Sequence, residues 1–258
     1  MDRIMLPMML VLLLLNVNVR GAVRVMGRGI GVMLIGSLGV IVGAFLSLLV
    51  VRHWLGPDVW KAYGSLAGSW TGGTANLNAV SEMLDATGAE TGLAVLGDSV
   101  IYALWLPVLL VSKKFAAPFA RFTKVDPDRL ARLDEEAEKQ LEKPRPATSR
   151  DYIAMFCAAL LVTWLTDIAV ERLPTFDPYL TKSAWRILLI TTIGICLSYT
   201  SLRNIAGSQD LAMAFVFLYL AKTGASAQLK ELADQAAPFL LGAVLWVGGA
   251  SIIAQELS

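Results

Sequence analysis

From Gly29 to Val51 no side chain carries a charge, and Ser37 and Ser47 are the only polar ones. That run matches the roughly 17–25 residues one helix needs to cross the hydrocarbon core of a bilayer. It is the most complete of about seven such blocks, the others lying at Ile4–Val19, Thr91–Val111, Tyr152–Ile168, Ala184–Leu202, Leu211–Ala221 and Pro238–Ala254. Hydrocarbon offers no water to a free N–H or C=O, so each block must close its hydrogen bonds internally, as a helix. Over 258 residues the chain is 56% hydrophobic and 17% charged, with a mean hydropathy of +0.61. Apolar residues in blocks rather than alternating stripes mark an integral, all-α membrane protein. The expected location is the cell (inner) membrane, crossed several times.

One stretch breaks the pattern. Gly68-Ser69-Trp70-Thr71-Gly72-Gly73-Thr74-Ala75-Asn76-Leu77-Asn78 is rich in glycine, hydroxyls and amides. It divides an element running from Asp58 to about Asp85 into two halves, Val59–Gly68 and Leu77–Leu84, neither long enough to span alone. Irregular backbone at membrane depth is tolerated where it is buried in protein or lines a wet cavity. This break is therefore expected to form the floor of a transport site. Asp98, close to Ser99 and Tyr102 inside the following apolar block, is a second candidate, because an intramembrane carboxylate is costly without a partner or water. The alternative for Asp98 is a hydrogen bond that fixes helix packing. For the glycine pair it is close helix packing without a ligand.

Several function classes drop out. The net charge of +1 gives no reason to expect nucleic acid. Cys157 and Cys196 both fall in apolar segments and are expected to be buried small hydrophobes, and His53, beside Trp54 at a span end, to be an interfacial anchor. One histidine and two scattered cysteines cannot assemble a usual zinc site, a Ser-His hydrolase or a cofactor motif, so an enzyme is not expected and no cofactor or metal is assigned. Asp167, Arg172 and Arg186 lie near span ends, where anchoring is the expectation. Asn16 and Asn18 either line the cavity or cap the first span.

Basic residues mark three loops as cytoplasmic: 20–28, with Arg20, Arg24 and Arg28; the charged linker 113–150, with an amphipathic helix near 128–139; and 203–207. With those loops on one side, the 58–85 element would enter and leave on the other face, as a re-entrant hairpin; the alternative is a single broken crossing, which conflicts with the loop charges. The loop with Asp177 and Pro178 also lies on that far side. Residues 1–112 then form a first membrane repeat and 151–258 a second. A shift of about 206 positions supports the repeat by placing Val23-Arg24 on Leu229-Lys230, Leu34-Ile35-Gly36 on Leu240-Leu241-Gly242, and Gly43-Ala44 on Gly249-Ala250. Inverted repeats are a mark of secondary transporters. The Gly39-x-x-x-Gly43 pair reads as a helix-packing face.

The stretch from Gly68 to Asn76, followed by Ala79-Val80, resembles the Gly-Ser-Tyr-x-Gly-Gly-Ser/Thr-x-Asn…Ala-Val segment of a bacterial multi-pass family, domain of unknown function 819. Asp98 with its span, and Thr223-Gly224-Ala225-Ser226-Ala227-x-Leu229, fit the same family. The resemblance runs over nearly the whole chain, and its first motif is the most specific part. That family is similar to the cation/proton antiporter and anion transporter superfamily, which implies inverted repeats and elevator-like movement. Members also carry helices before the position of Met1 and a second Gly-Gly motif towards the C-terminus. Neither is present here, so the chain is expected to be truncated at both ends.

The expected function is ion-coupled secondary transport of a small anionic solute. Ser69, Thr71, Thr74 and the backbone of Gly72-Gly73 would contact it, and a helix start near Asn76 would favour its charge. Asn76, Asn78 and Asp98 would serve a coupling Na+ or H+. The partners are the lipid bilayer, the solute or ion, and a second copy of the chain in a homodimer. The alternative is a structural or assembly subunit, or a fragment without transport of its own.

Overall fold

The structure, a computed structural model, describes residues 2–17, 29–112, 146–176, 180–226 and 235–246, with Val19, Gly21, Val23 and Gly27 between the first two segments. Asn18, Arg20, Arg24, Arg28, most of the charged linker, Asp177, Pro178, Leu229-Lys230 and Gly249-Ala250 lie outside the described residues.

Among the described residues every regular element is helical: α1 (Asp2–Leu15), α2 (Gly29–Val51), α3 (Val59–Gly72), α4 (Thr74–Met83), α5 (Gly88–Ser112), α6 (Ser149–Glu171), α7 (Lys182–Leu197), α8 (Ser208–Ser226) and α9 (Gln235–Trp246). Short 3-10 turns at Arg52–Trp54 and Ser201–Asn204 join neighbours. Among the described residues three helices are long and apolar enough to cross a membrane: Gly29–Trp54, Gly88–Val111 and Ser149–Glu171. Their outward faces are hydrocarbon, with Val32, Phe45, Leu104, Trp164 and Leu165 exposed.

The interior divides into two clusters. In the first, α1 is the axis: Leu6, Met8 to Leu12 and Leu15 are at most 4% exposed, packed against α6, α7, α8 and Ala79 of α4. A helix apolar all round, as α1 is, belongs inside other helices. The second cluster joins α2, α3, α5 and α9 with Leu77 of α4. Close approach of α2 and α9 depends on Gly43, where an added Cβ would lie 2.5 Å from the Trp246 ring. Gly39 meets nothing, so only one glycine of the expected packing pair is used. Ser47 donates to the Gly242 carbonyl and Tyr63 to the Phe239 carbonyl, tying α9 to α2 and α3.

Side-chain contacts fix the directions of the helices. At one end of the bundle, Asn16 after α1 donates to Ser208 at the start of α8 (2.7 Å), and Gly207 packs on Ala147 and Tyr152 before and within α6. Loops expected on the cytoplasmic side therefore meet at this end. At the opposite end, Lys61 of α3 donates to the Asp85 carbonyl (3.3 Å), and Ser183 of α7 donates to the Asp85 carboxylate (2.8 Å).

Three expectations need correction. Cys157 and Cys196 are exposed rather than buried, because in a membrane chain an apolar residue is as much at home on the outer face as in the core. Asp167 and Arg186 are not separate anchors but an ion pair between α6 and α7, Nε to Oδ1 at 2.7 Å, with Arg186 only 8% exposed. The break in the hairpin is also far shorter than expected. Helix persists to Gly72 and resumes at Thr74, leaving Gly73 alone outside it.

Candidate functional site

α3 and α4 form a tight antiparallel hairpin. Ser81 donates to Ser65 at 2.8 Å across it, and the missing Cβ atoms of Gly64 and Gly68 leave room for Leu84 and Val80. A Cβ on Gly68 would stand 2.8 Å from Val80 Cγ2 and 3.1 Å from the Asn76 carbonyl oxygen. Gly64 and Gly68 thus serve close approach inside a helix, while Gly73 makes the turn. Its φ of +83° and ψ of −174° lie in a region that is essentially glycine's alone. The Gly73 N–H donates to the Ser69 carbonyl, and the Gly73 carbonyl accepts from Asn76 and Leu77. Thr74 and Ala75 open α4 with amides that have no intrahelical acceptor, as the first turn of any helix does.

α4 has 10 residues and α3 has 14, or about 15 and 21 Å of helix, both short of the ~30 Å hydrocarbon core. Both helices return to the end of the bundle marked by Lys61, Asp85 and Ser183.

The expected site residues separate into groups. Ser69 is buried at the end of α3, while Gly72, Gly73 and Asn76 lie exposed at the turn and Thr74 is half-buried beside them. The Asn76 amide folds over Gly72 and occupies the place where a Cβ would stand. Thr71 is exposed, and its hydroxyl donates back to the Ala67 and Gly68 carbonyls (3.1 and 3.0 Å), so it satisfies its own helix. The helix start lies at Thr74, one half-turn earlier than the expected position near Asn76.

Asp98 of α5 comes against the end of α3. Its carboxyl is near enough to the Ser69 hydroxyl and the Trp70 indole N–H to interact with both, although the indole N–H is outside hydrogen-bonding geometry with any acceptor among the described residues. Trp70 leans on Trp246 with ring centroids 6.5 Å apart. The polar neighbours of Asp98 thus come from the end of α3.

Asn78 is 0% exposed, and among the described residues neither its amide nitrogen nor its oxygen has a hydrogen-bond partner. Its neighbours in sequence explain its position: Leu77 belongs to the cluster of α2, α3, α5 and α9, and Ala79 to the cluster around α1. The amide therefore sits on the seam between the two. A helical side chain leans towards the N-terminus of its own helix, so Asn78 lies over the turn opened by Thr74. Leaving a buried polar group unpaired costs about 1–3 kcal/mol, which makes this residue the least explicable in terms of packing alone. Sequence reasoning passed over the Trp70 N–H, the Ser65–Ser81 pair and the Asp167–Arg186 pair. Among the described residues no cluster of His, Cys, Asp and Glu could hold a metal ion.

A family model described as "Protein of unknown function (DUF819)" matches residues 1–254. The chain is 22% identical over 248 residues to a protein of Bacillus subtilis (strain 168) named "Uncharacterized membrane protein YjcL"; the match covers 91% of this chain and 61% of that protein's length. The chain thus spans about three-fifths of the curated relative it matches. No solved structure matches it.

Proposed function

This chain belongs to the DUF819 family of proteins of unknown function, and on that premise we propose that it is the hairpin-bearing part of an ion-coupled secondary transporter for a small anionic solute. The observation that carries the reading is the buried, unpaired amide of Asn78, one turn inside a helix that starts at a glycine break. In this reading the hairpin is re-entrant, entering and leaving on the face opposite the basic loops, within an inverted-repeat fold of about seven spans in the cell (inner) membrane. The first amides of α4 and the Trp70 N–H supply donors for an anionic group, with help from the helix dipole. Asp98, beside Ser69, takes the coupling Na+ or H+, since a hard cation or a proton suits a carboxylate with hydroxyl support. Cargo exchange between the two faces follows from elevator-like movement of one helix cluster past the other along the α4 seam.

The test is uptake into proteoliposomes holding the full-length protein, under an inward Na+ or H+ gradient, with a panel of labelled small organic and inorganic anions. Gradient-driven uptake of at least one anion, lost in Asp98→Asn, supports the reading. Uptake that is indifferent to Asp98 removes it from the coupling site, and no uptake under either gradient contradicts transport.

A further inference from the structure

We propose that the pocket at the basic end of the bundle binds the phosphate of an anionic phospholipid headgroup. This site is independent of the hairpin and of any transport step. It is a cavity of about 420 Å³ where α1 and α7 end, lined by Val17, Val19, Ser198, Thr200, Ser201 and Arg203. That volume falls within the roughly 300–1,000 Å³ of small-molecule sites.

Its lining matches a phosphate that approaches from a membrane surface. Arg203, exposed on the Ser201–Asn204 turn, makes no ion pair among the described residues. Asp210, at the start of α8, accepts from Tyr152 (3.4 Å). The Ser201 hydroxyl and the Asn204 amide also have no hydrogen-bond partner among the described residues, whereas the Thr200 hydroxyl is used up, donating to Leu197 and accepting from Leu202. A guanidinium with a free hydroxyl and amide offers the forked, charge-assisted donors that suit phosphate oxygens.

Two features favour a lipid over a free anion. The outer face of α7 that leads away from the pocket is apolar and open, with Leu188 42% and Ile195 38% exposed, which suits acyl chains. Tyr199, 51% exposed at the pocket, has the amphipathic ring enriched at membrane interfaces. The charge of the neighbouring sequence agrees: Arg20, Arg24 and Arg28 follow Val19. By the positive-inside rule this end faces the cytoplasmic leaflet, where anionic lipids concentrate.

The experiment uses the full chain in detergent and reads lipid retention by native mass spectrometry together with thermal stability. Phosphatidylglycerol is compared with phosphatidylcholine of the same acyl chains, whose phosphate is offset by a choline cation that the Arg203 guanidinium would repel, and inorganic phosphate and glycerol 3-phosphate are the soluble arms. The expected result is about tenfold preference for phosphatidylglycerol, reduced to the phosphatidylcholine level in Arg203→Gln and partly kept in Arg203→Lys. Asn204→Ala should also weaken the preference, as a second variant that keeps the charge. Equal binding of the two lipids, or a preference unchanged in Arg203→Gln, overturns the proposal. Soluble phosphates that stabilise the chain as strongly as the lipid overturn the lipid assignment.

Discussion

Replacing Gly73 by alanine isolates the turn on which the hairpin depends. At φ +83° and ψ −174° a residue with a Cβ is strained by about 1–3 kcal/mol. The new methyl would meet no atom within 4 Å, so the cost comes from the backbone alone. Against it stands the reduced entropy of the unfolded chain, which favours alanine by about 0.4–1 kcal/mol, leaving a net loss of about 0–2.6 kcal/mol, or ~1.3 kcal/mol at mid-range. Gly72→Ala is the control. Gly72 is helical, where alanine is preferred by about 1 kcal/mol, and its methyl would meet the amide, Cγ (2.6 Å) and Cβ (3.3 Å) of the exposed Asn76, a conflict that a change of the Asn76 rotamer relieves. Thermal unfolding of the purified chain in detergent should therefore fall by a few degrees in Gly73→Ala, at about 2–4 °C per kcal/mol, and stay level or rise in Gly72→Ala. Equal behaviour of the two adjacent glycines, or a stabilised Gly73→Ala, would refute a turn made by Gly73 alone.

Asn78→Leu removes an amide that has no partner, so its stability should be unchanged or higher, since replacing unpaired polar atoms by apolar ones of similar shape is nearly neutral or favourable. Uptake in proteoliposomes should nevertheless be lost, and a destabilised but active Asn78→Leu would mean that the amide is a packing residue. Arg186→Leu and Asp167→Leu should each cost about 1–3 kcal/mol, less than the 3–5 kcal/mol of a fully buried pair, because the Asp167 side chain is 35% exposed. In a double-mutant cycle measured by chemical unfolding, the joint variant should lose less than the sum of the two, and strict additivity would show that the pair does not couple.

The sequence made the helical class and the three longest spans legible because length alone decides them in a bilayer: Gly29–Trp54, Gly88–Val111 and Ser149–Glu171 are charge-poor over a full crossing. The division of the 58–85 element into two short halves was legible for the same reason, since neither is long enough to cross, whereas it was the charge of the neighbouring loops that suggested the halves fold back on one another. Its extent was not. Gly64, Gly68 and Gly72 carry a helix-breaking propensity that helix packing overrides, and only the backbone angles single out Gly73. Hydropathy cannot tell a lipid-facing residue from a core residue, which is why Cys157 and Cys196 were misplaced. Arg186 and Asp167 stand 19 residues apart on helices joined by a loop, and no spacing rule pairs them. Asn78 could be marked as polar, but its isolation on the seam required the packing of Leu77 and Ala79 on opposite sides.

The most direct measurement concerns the two feet of the hairpin. Single cysteines at Asp58 and Thr87, in a chain whose Cys157 and Cys196 are replaced by serine, would be labelled in intact cells with a membrane-impermeant maleimide, with Pro146 as the marker of the basic end. A re-entrant hairpin predicts that positions 58 and 87 react from the outside together while 146 reacts only after the cells are opened. Labelling of 58 and 87 from opposite sides would make the element a crossing span and remove the ground for a cargo site at its tip.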